Sequence, residues 1–269
     1  MKKNWLDGKT VLLTGATSGI GRALTMKLIT KHNCHVIGIG RNEKAMEEIK
    51  SELKENAPLF EYKLFDVSVY ENWQNFAKEA KKIDILINNA GILPKFTKFE
   101  RYSVDDAKKI IETNFMASVY SINTFLPTLL KSSSPAIINV SSSAALCPLI
   151  GTTLYTASKS ALKSFTECLM EDYRDKIYVA YVCPGFTKTN IFRNQNVEIE
   201  KIIDRFCSSC EKNTNRILGK IEKKKKRIVV GKDAKIMKNF YHLFPRSFPH
   251  LCSKVLKKSK IKLYQDVFN

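Results

Sequence analysis

The sequence predicts an α/β fold of the doubly wound kind, a parallel sheet with helices on both faces. Three observations carry that prediction. Short apolar, β-branched runs alternate with helical segments through most of the 269 residues, which is how strands covered on both faces read. The first run enters a glycine-rich turn and then a helix. The length suits one large α/β unit, and no internal repeat or Pro/Gly-rich linker marks a second one.

Taken in order, Lys9-Thr10-Val11-Leu12-Leu13-Thr14 reads as a buried strand, Gly15-Ala16-Thr17-Ser18-Gly19-Ile20-Gly21 as the turn and Arg22 to Lys31 as the helix. Glycine is needed where the chain turns sharply, where backbone must approach a pyrophosphate, and where helix meets sheet; the phosphate then faces unpaired N–H groups. The spacing is GxxxGxG, not GxGxxG, and by itself leaves an ordinary loop as the alternative. Further strands are expected at Val36 to Ile39, Tyr62 to Phe65, Ile83 to Ile87, Ala136 to Val140 and Tyr178 to Val182, with Arg227 to Val230 as a seventh, closing strand. Val104 to Leu130 reads as one helical stretch containing Asn114. The expected organisation is a catalytic domain over 1–231, with a lid-like insert at about 190–226, and a basic extension over 232–269.

The chemistry concentrates at Tyr155-Thr156-Ala157-Ser158-Lys159 and at Ser142, thirteen residues before the tyrosine. Residues i and i+4 share a helix face, so an ammonium there reaches toward the phenol and favours the phenolate. A phenol tuned toward neutral pH can exchange a proton with a carbonyl or alcohol oxygen. YxxxK also occurs by chance on amphipathic helices, so the pair needs its neighbours.

Those neighbours are Thr14-Gly15-x-x-x-Gly19-x-Gly21, Asp66, Asn88-Asn89-Ala90-Gly91, Asn114, Ser142, Tyr155-x-x-x-Lys159 and Pro184-Gly185. In this order and at these separations they resemble the short-chain dehydrogenase/reductase family across roughly residues 7 to 190. The resemblance implies a Rossmann-type domain that oxidises or reduces a carbonyl/alcohol pair with NAD(P). It assigns Thr14, Gly15, Ser18, Gly19, Ile20 and Gly21 to the dinucleotide turn, and Asp66 with the Val67 backbone to the adenine amino group. Asn88, Ala90 and Gly91 would border the ribose, and Tyr155 and Lys159 would bond the nicotinamide ribose. Pro184, Gly185, Thr187 and Thr189 would take the carboxamide and diphosphate. Asp66 as a strand-end turn residue and Pro184-Gly185 as an ordinary turn are the plainer alternatives.

The same resemblance makes Ser142 the group that fixes the substrate oxygen, Tyr155 the proton donor in reduction and Lys159 the cation that lowers the tyrosine pKa. Asn114 would hold a water linking the lysine to solvent, although an asparagine in a long helix is equally a packing residue. Cofactor choice is read at Gly38-Ile39-Gly40-Arg41-Asn42. Glycine stands where NAD-preferring relatives carry aspartate, and Arg41 follows, free to meet a 2′-phosphate without a competing carboxylate. NADP(H) is therefore expected over NAD(H). An exposed helix-start arginine is the other reading, and Ser18 occupies a place where many NADP-using relatives have a second basic residue.

Seven scattered cysteines, no secretory pattern after Met1-Lys2-Lys3 and no run of eighteen apolar residues point to a reduced, cytoplasmic setting. Cys207-Ser208-Ser209-Cys210 lacks a second ligand pair, and no metal is expected. From Lys220 onward fifteen Lys and Arg face three acids, twelve of the chain's net charge of +19. Asp233 to Phe244 reads as an amphipathic helix with Ile236, Met237, Phe240, Tyr241, Leu243 and Phe244 on one side, and a second segment follows around Leu251 to Lys258. Such helices bind anionic membrane surfaces; packing on the core or a second subunit is the alternative. No motif supports nucleic-acid binding, and a homodimer or homotetramer is expected from the resemblance. The resemblance puts the pocket rim after Gly91, Ser142 and Gly185, where Ile92, Leu93, Pro94, Leu146, Pro148, Leu149, Phe186, Ile191 and Phe192 are apolar and favour a lipophilic carbonyl or secondary alcohol, such as a steroid, retinoid or acyl chain. The competing function is a catalytically silent nucleotide sensor or scaffold on the same fold.

Overall fold

The computed structural model describes residues 4–189, 191, 207–259 and 262–268. The strands are β1 (Thr10–Thr14), β2 (His35–Gly40), β3 (Phe60–Leu64), β4 (Ile85–Asn88), β5 (Ala136–Val140), β6 (Tyr178–Pro184) and β7 (Arg227–Val230). They form one sheet in the order β3-β2-β1-β4-β5-β6-β7, with every neighbouring pair parallel. The helices are α1 (Gly19–His32), α2 (Glu43–Glu52), α3 (Tyr70–Glu79), α4 (Val104–Ile111), α5 (Ala117–Leu129), α6 (Thr153–Asp172), α7 (Cys210–Glu222), α8 (Lys232–Leu243), α9 (Phe248–Ser259) and α10 (Gln265–Phe268).

Strand side chains alternate between two apolar layers, as the period of two requires. Val11 and Leu13 join Leu24 and Leu28 of α1, Met46 of α2 and Ile217, Leu218 and Ile221 of α7. Leu12 and Leu86 face the other way, toward Trp73 of α3, Phe125 of α5 and Met170 of α6. This is the Rossmann-type architecture the sequence predicts, including the closing strand. Strand order reverses between β1 and β4, and the crevice beyond their carboxyl ends is where ligands bind in open α/β sheets.

Three expectations are corrected. The helical stretch 104–130 is interrupted by a π-turn at Glu112–Met116, which places fully buried Asn114 at the break; single π-turns inside helices frequently mark functional positions. The insert at 190–226 is not lid throughout, because α7 is a core helix whose Ile217, Leu218 and Ile221 are almost wholly buried. Asn190 and residues 192–206, Phe192 among them, lie outside the described residues. The extension does not begin as a separate unit either: Ala234 and Met237 of α8 are buried, and Asp233 accepts a hydrogen bond from the Phe186 N–H at 2.6 Å. The stripe on this helix is in fact two faces, Ala234 and Met237 turned inward and Ile236, Phe240 and Leu243 turned to solvent.

Candidate active site

The glycine turn joins β1 to α1 at the switch point. Ser18 is the N-cap of α1, but its side chain makes no capping bond and the first turn carries no acid. The N-terminal N–H groups are thus left for an anion, in a field that favours one. Gly21 is required by close approach, since a methyl there would overlap the Gly15 carbonyl oxygen and sit 2.5 Å from the Asn89 amide nitrogen. Gly21→Ala is expected to destabilise the fold by about 1–3 kcal/mol and to weaken dinucleotide binding. Thermal unfolding and a binding titration measure both, and two unchanged values would contradict this packing. Thr14 supports the turn from behind, its hydroxyl accepting the Asn89 and Ala90 N–H groups at 2.9 and 3.0 Å. Its side chain does not line the cleft, so its part in binding is positional.

On the far side of the cleft, Ser142 follows β5 and Tyr155 and Lys159 lie on the first turns of α6. Tyr155 and Lys159 are both buried. Burial raises the phenol above its ordinary pKa, and the Ser142 hydroxyl, bonded to it, works in the opposite direction. The Lys159 ammonium donates to the Val140 carbonyl at 3.0 Å, and burial is the largest influence on the phenol. Asn114 reaches the same corner. Its amide accepts from the Ile92 N–H at 2.8 Å and donates to the Ile92 carbonyl and the Ser158 hydroxyl. A methyl on Gly91 would stand 3.1 Å from both Asn114 Oδ1 and Lys159 Nζ, so the two groups flank that glycine.

Burial also lowers the Lys159 ammonium from 10.5 to about 8. With the folded value below the unfolded one, the unfolded chain binds more protons between about pH 8 and 10.5, and stability rises with pH across that window. Below it the buried charge costs the fold roughly 3 kcal/mol. Lys159→Met is expected to be more stable than wild type at pH 7, with the gap closing toward pH 10. Denaturant unfolding at both pH values measures it; a gap independent of pH would contradict the buried charge.

Of the predicted cofactor residues, Gly15, Ser18, Gly19, Ile20, Ala90, Gly91, Tyr155, Lys159, Pro184, Gly185, Thr187 and Thr189 line one cleft together with Ser142. Asn88 does not, because its side chain is consumed in a buried chain: its amide donates to Asn139 at 2.9 Å and accepts from Ser121 at 2.7 Å. Val67 is buried and its carbonyl accepts the Trp73 indole N–H at 2.8 Å. Arg41 is not free of a competing carboxylate: it donates to Asp66 at 2.9 Å across the ends of β2 and β3. Burial works to raise the Asp66 carboxyl, but the Ser68 hydroxyl and N–H, with the Arg41 guanidinium, hold it below the usual carboxylate range. Ile92, Leu93, Leu149, Phe186 and Ile191 of the expected apolar rim line the cleft, joined by Phe96 and Ala144; Pro94, Leu146 and Pro148 do not.

Sequence reasoning missed the residues that hold the 184–189 loop. Asn213 of α7 donates to the Thr187 hydroxyl at 2.8 Å, and Ser208 exchanges backbone bonds with Phe186 and Lys188. Neither has a local signal, since each acts across twenty residues or more. Asn89 was visible beside Asn88 and carries the cleft-side bonds, donating to the Thr14 and Gly15 carbonyls at 3.0 and 3.2 Å.

The cleft at the switch point thus has an uncapped helix start on one wall and Tyr155, Ser142 and the buried Lys159 on the other. Residues 9–200 match the family described as short chain dehydrogenase, and the chain belongs to that family of oxidoreductases, whose fold binds NAD(P). The chain is 34% identical over 191 residues to an "NADP-dependent 3-hydroxy acid dehydrogenase" of Schizosaccharomyces pombe, covering 68% of this chain and 73% of the relative. It is 31% identical over 199 residues to a "3beta-hydroxysteroid dehydrogenase" of Mediterraneibacter gnavus, covering 72% and 71%. Among solved structures, the closed form of serine dehydrogenase complexed with NADP+ superimposes with a TM-score of 0.75 at 26% identity, over 82% of this chain and 94% of that one.

Proposed function

We propose that the protein is an NADP(H)-dependent oxidoreductase that interconverts a lipophilic carbonyl and its secondary alcohol. The observation that carries this reading is the meeting of Tyr155 and Ser142 on a cleft whose substrate side is walled by Leu93, Phe96, Leu149, Phe186 and Ile191. Bound dinucleotide supplies the hydride. Ser142 donates a hydrogen bond to the substrate oxygen, and Tyr155 passes its phenolic proton to that oxygen as negative charge develops. A phenol raised by burial stays protonated at neutral pH, which suits reduction. Lys159, buried beside Gly91 and Asn114, would bond the nicotinamide ribose and keep a positive charge near the proton donor; Asn114 would hold the relay to solvent.

The helix start at Ser18 to Gly21 would hold the diphosphate, with Thr187 and Thr189 on the other side of it, Thr189 lying against Gly19. Gly40 brings no carboxylate of its own to the ribose position, and Arg41 would exchange Asp66 for the 2′-phosphate. The name of the yeast relative agrees with NADP use, and that of the bacterial relative with a steroid-sized apolar substrate. Incubation with NADPH and a panel of lipophilic ketones and aldehydes is expected to yield the alcohol of at least one, read by mass. Unchanged carbonyls throughout would overturn the reading.

The proposal extends to place and assembly. Ile236, Phe240, Leu243, Phe244, Leu251 and Val255 are exposed on α8, α9 and their connection, among exposed Lys235, Lys238, Arg246, Lys254, Lys257 and Lys258. Among the described residues no helix is long and apolar enough to cross a membrane, and this face suits an anionic surface, each nearby Lys or Arg contributing about 1 kcal/mol. Full-length protein is expected to co-sediment with anionic vesicles at low salt, to release as salt rises, and to lose binding on Phe240→Asp with Leu243→Asp. Equal binding to neutral vesicles, or none to anionic ones, would contradict a peripheral site. A homodimer or homotetramer paired through the helices that carry Asn114 and Tyr155 belongs to the same reading.

A further inference from the structure

The chain's last turns pack behind the substrate wall. Tyr264 and Val267 are each 4% exposed and form one apolar cluster with Leu93, Phe96, Ala144 and Tyr155. The Tyr264 and Phe96 rings lie 5.2 Å apart, in the range of favourable aromatic pairs. Asp266 forms ion pairs with Lys95 and, at 4.0 Å, Arg101, which binds α10 to the loop after β4. On its other side α10 meets the loop that leads into α6. Gly151 has a φ of +77°, and a methyl there would come within 2.5 Å of the Val267 side chain. The two loops are themselves joined by the Thr97 N–H donating to the Gly151 carbonyl at 3.0 Å.

Leu93 and Phe96 from the first loop, and Leu149 and Thr152 from the second, face the cleft, and the second loop runs directly into the helix bearing Tyr155. No residue of α10 lines the cleft itself. We infer that this terminal segment is a keystone for the substrate pocket: Tyr264, Asp266 and Val267 are positioning residues that hold both wall loops in register with Tyr155 and so set the size of carbonyl admitted. This rests on the oxidoreductase reading proposed above. Tyr264 limits the pocket by backing Phe96; shortening it lets that ring retreat and admits a bulkier substrate. The ion pairs of Asp266 set how often the loop after β4 stands in place.

The test uses the full chain and three substitutions. Tyr264→Ala is expected to shift the ratio of kcat/KM toward a longer or bulkier carbonyl by about tenfold, the scale of one or two methylenes in an apolar pocket, mainly through KM and with NADPH affinity unchanged; Tyr264→Phe should restore the wild-type ratio. Asp266→Lys should raise KM several-fold, and Lys95→Glu on top of it should recover part of the loss. Hydrogen exchange supplies a readout independent of turnover: the Thr97 N–H should exchange faster in Tyr264→Ala and Asp266→Lys while β4 and β5 stay protected. If wild type turns over no carbonyl, the oxidoreductase reading fails and the exchange result alone decides the keystone. Folded variants with wild-type KM ratios and wild-type Thr97 protection would overturn it, as would a loss that appears equally in NADPH binding and across the whole sheet.

Discussion

Tyr155→Phe is expected to lower kcat/KM for carbonyl reduction by about 10²–10⁴, the usual contribution of a positioned general acid, while NADPH binding stays close to wild type. The ring remains to fill its place in the cluster with Leu93, Phe96 and Tyr264, so the change removes the proton and the Ser142 bond and little else. That bond is worth about 1 kcal/mol to the fold, too little to confuse a folding loss with a chemical one. Because burial holds the phenol protonated, the wild-type reduction rate should vary little around neutral pH and fall as Lys159 gives up its charge near pH 8, before the phenol titrates. Steady-state kinetics with a dinucleotide titration checks both parts. A variant that binds NADPH normally and reduces at the wild-type rate would remove Tyr155 from the mechanism.

Arg41→Ala is expected to weaken NADPH by roughly 10- to 100-fold, since a charge-assisted bond to phosphate contributes about 1.5–3 kcal/mol, and to leave NADH nearly untouched. The Asp66 pair does not prevent this. The Arg41 side chain is 69% exposed, an exposed pair is worth about 0–1 kcal/mol, and a 2′-phosphate offers more charge and a pair of oxygens that the planar guanidinium fork can meet at once. Gly40→Asp should move the preference the same way, toward NADH, by bringing a carboxylate against the 2′-phosphate; its Cβ would stand 2.9 Å from the Met46 methyl and 3.1 Å from the Thr17 methyl, side-chain ends that must shift slightly. Binding titrations with both dinucleotides decide it. Equal loss of both on Arg41→Ala would make the arginine a structural partner of Asp66.

The sheet was legible because parallel strands buried on both faces have few polar positions to disguise them: Val11 to Thr14 and Ala136 to Val140 match β1 and β5 closely. The edge strand was less so. Expected at Tyr62 to Phe65, it lies at Phe60–Leu64 with only Phe60 buried, because one covered side leaves a weaker pattern. The cleft residues were readable as a motif, yet their individual roles were not. Asn88 and Thr14 sit in the motif but spend their side chains on Asn139, Ser121 and the backbone of the neighbouring turn. The direction of the tyrosine shift was hidden for a related reason: helical spacing puts Lys159 near Tyr155 but says nothing of the Val140 carbonyl that takes its ammonium. Asp233 to Phe244 reads as one amphipathic stripe because a helical repeat shows which residues are apolar, not which neighbour claims them. Asp233 at Phe186 and Tyr264 at Phe96 are contacts across 47 and more than 160 residues, beyond any local pattern.

The most direct measurement is NADPH oxidation, followed by absorbance, with wild-type protein and Tyr155→Phe against a panel of lipophilic ketones and aldehydes graded in length. Substrate-dependent oxidation by wild type, matched by alcohol formed and lost in Tyr155→Phe, is the expected result. Tight NADPH binding with no substrate-dependent oxidation anywhere in the panel would contradict it and leave a nucleotide sensor on the same fold.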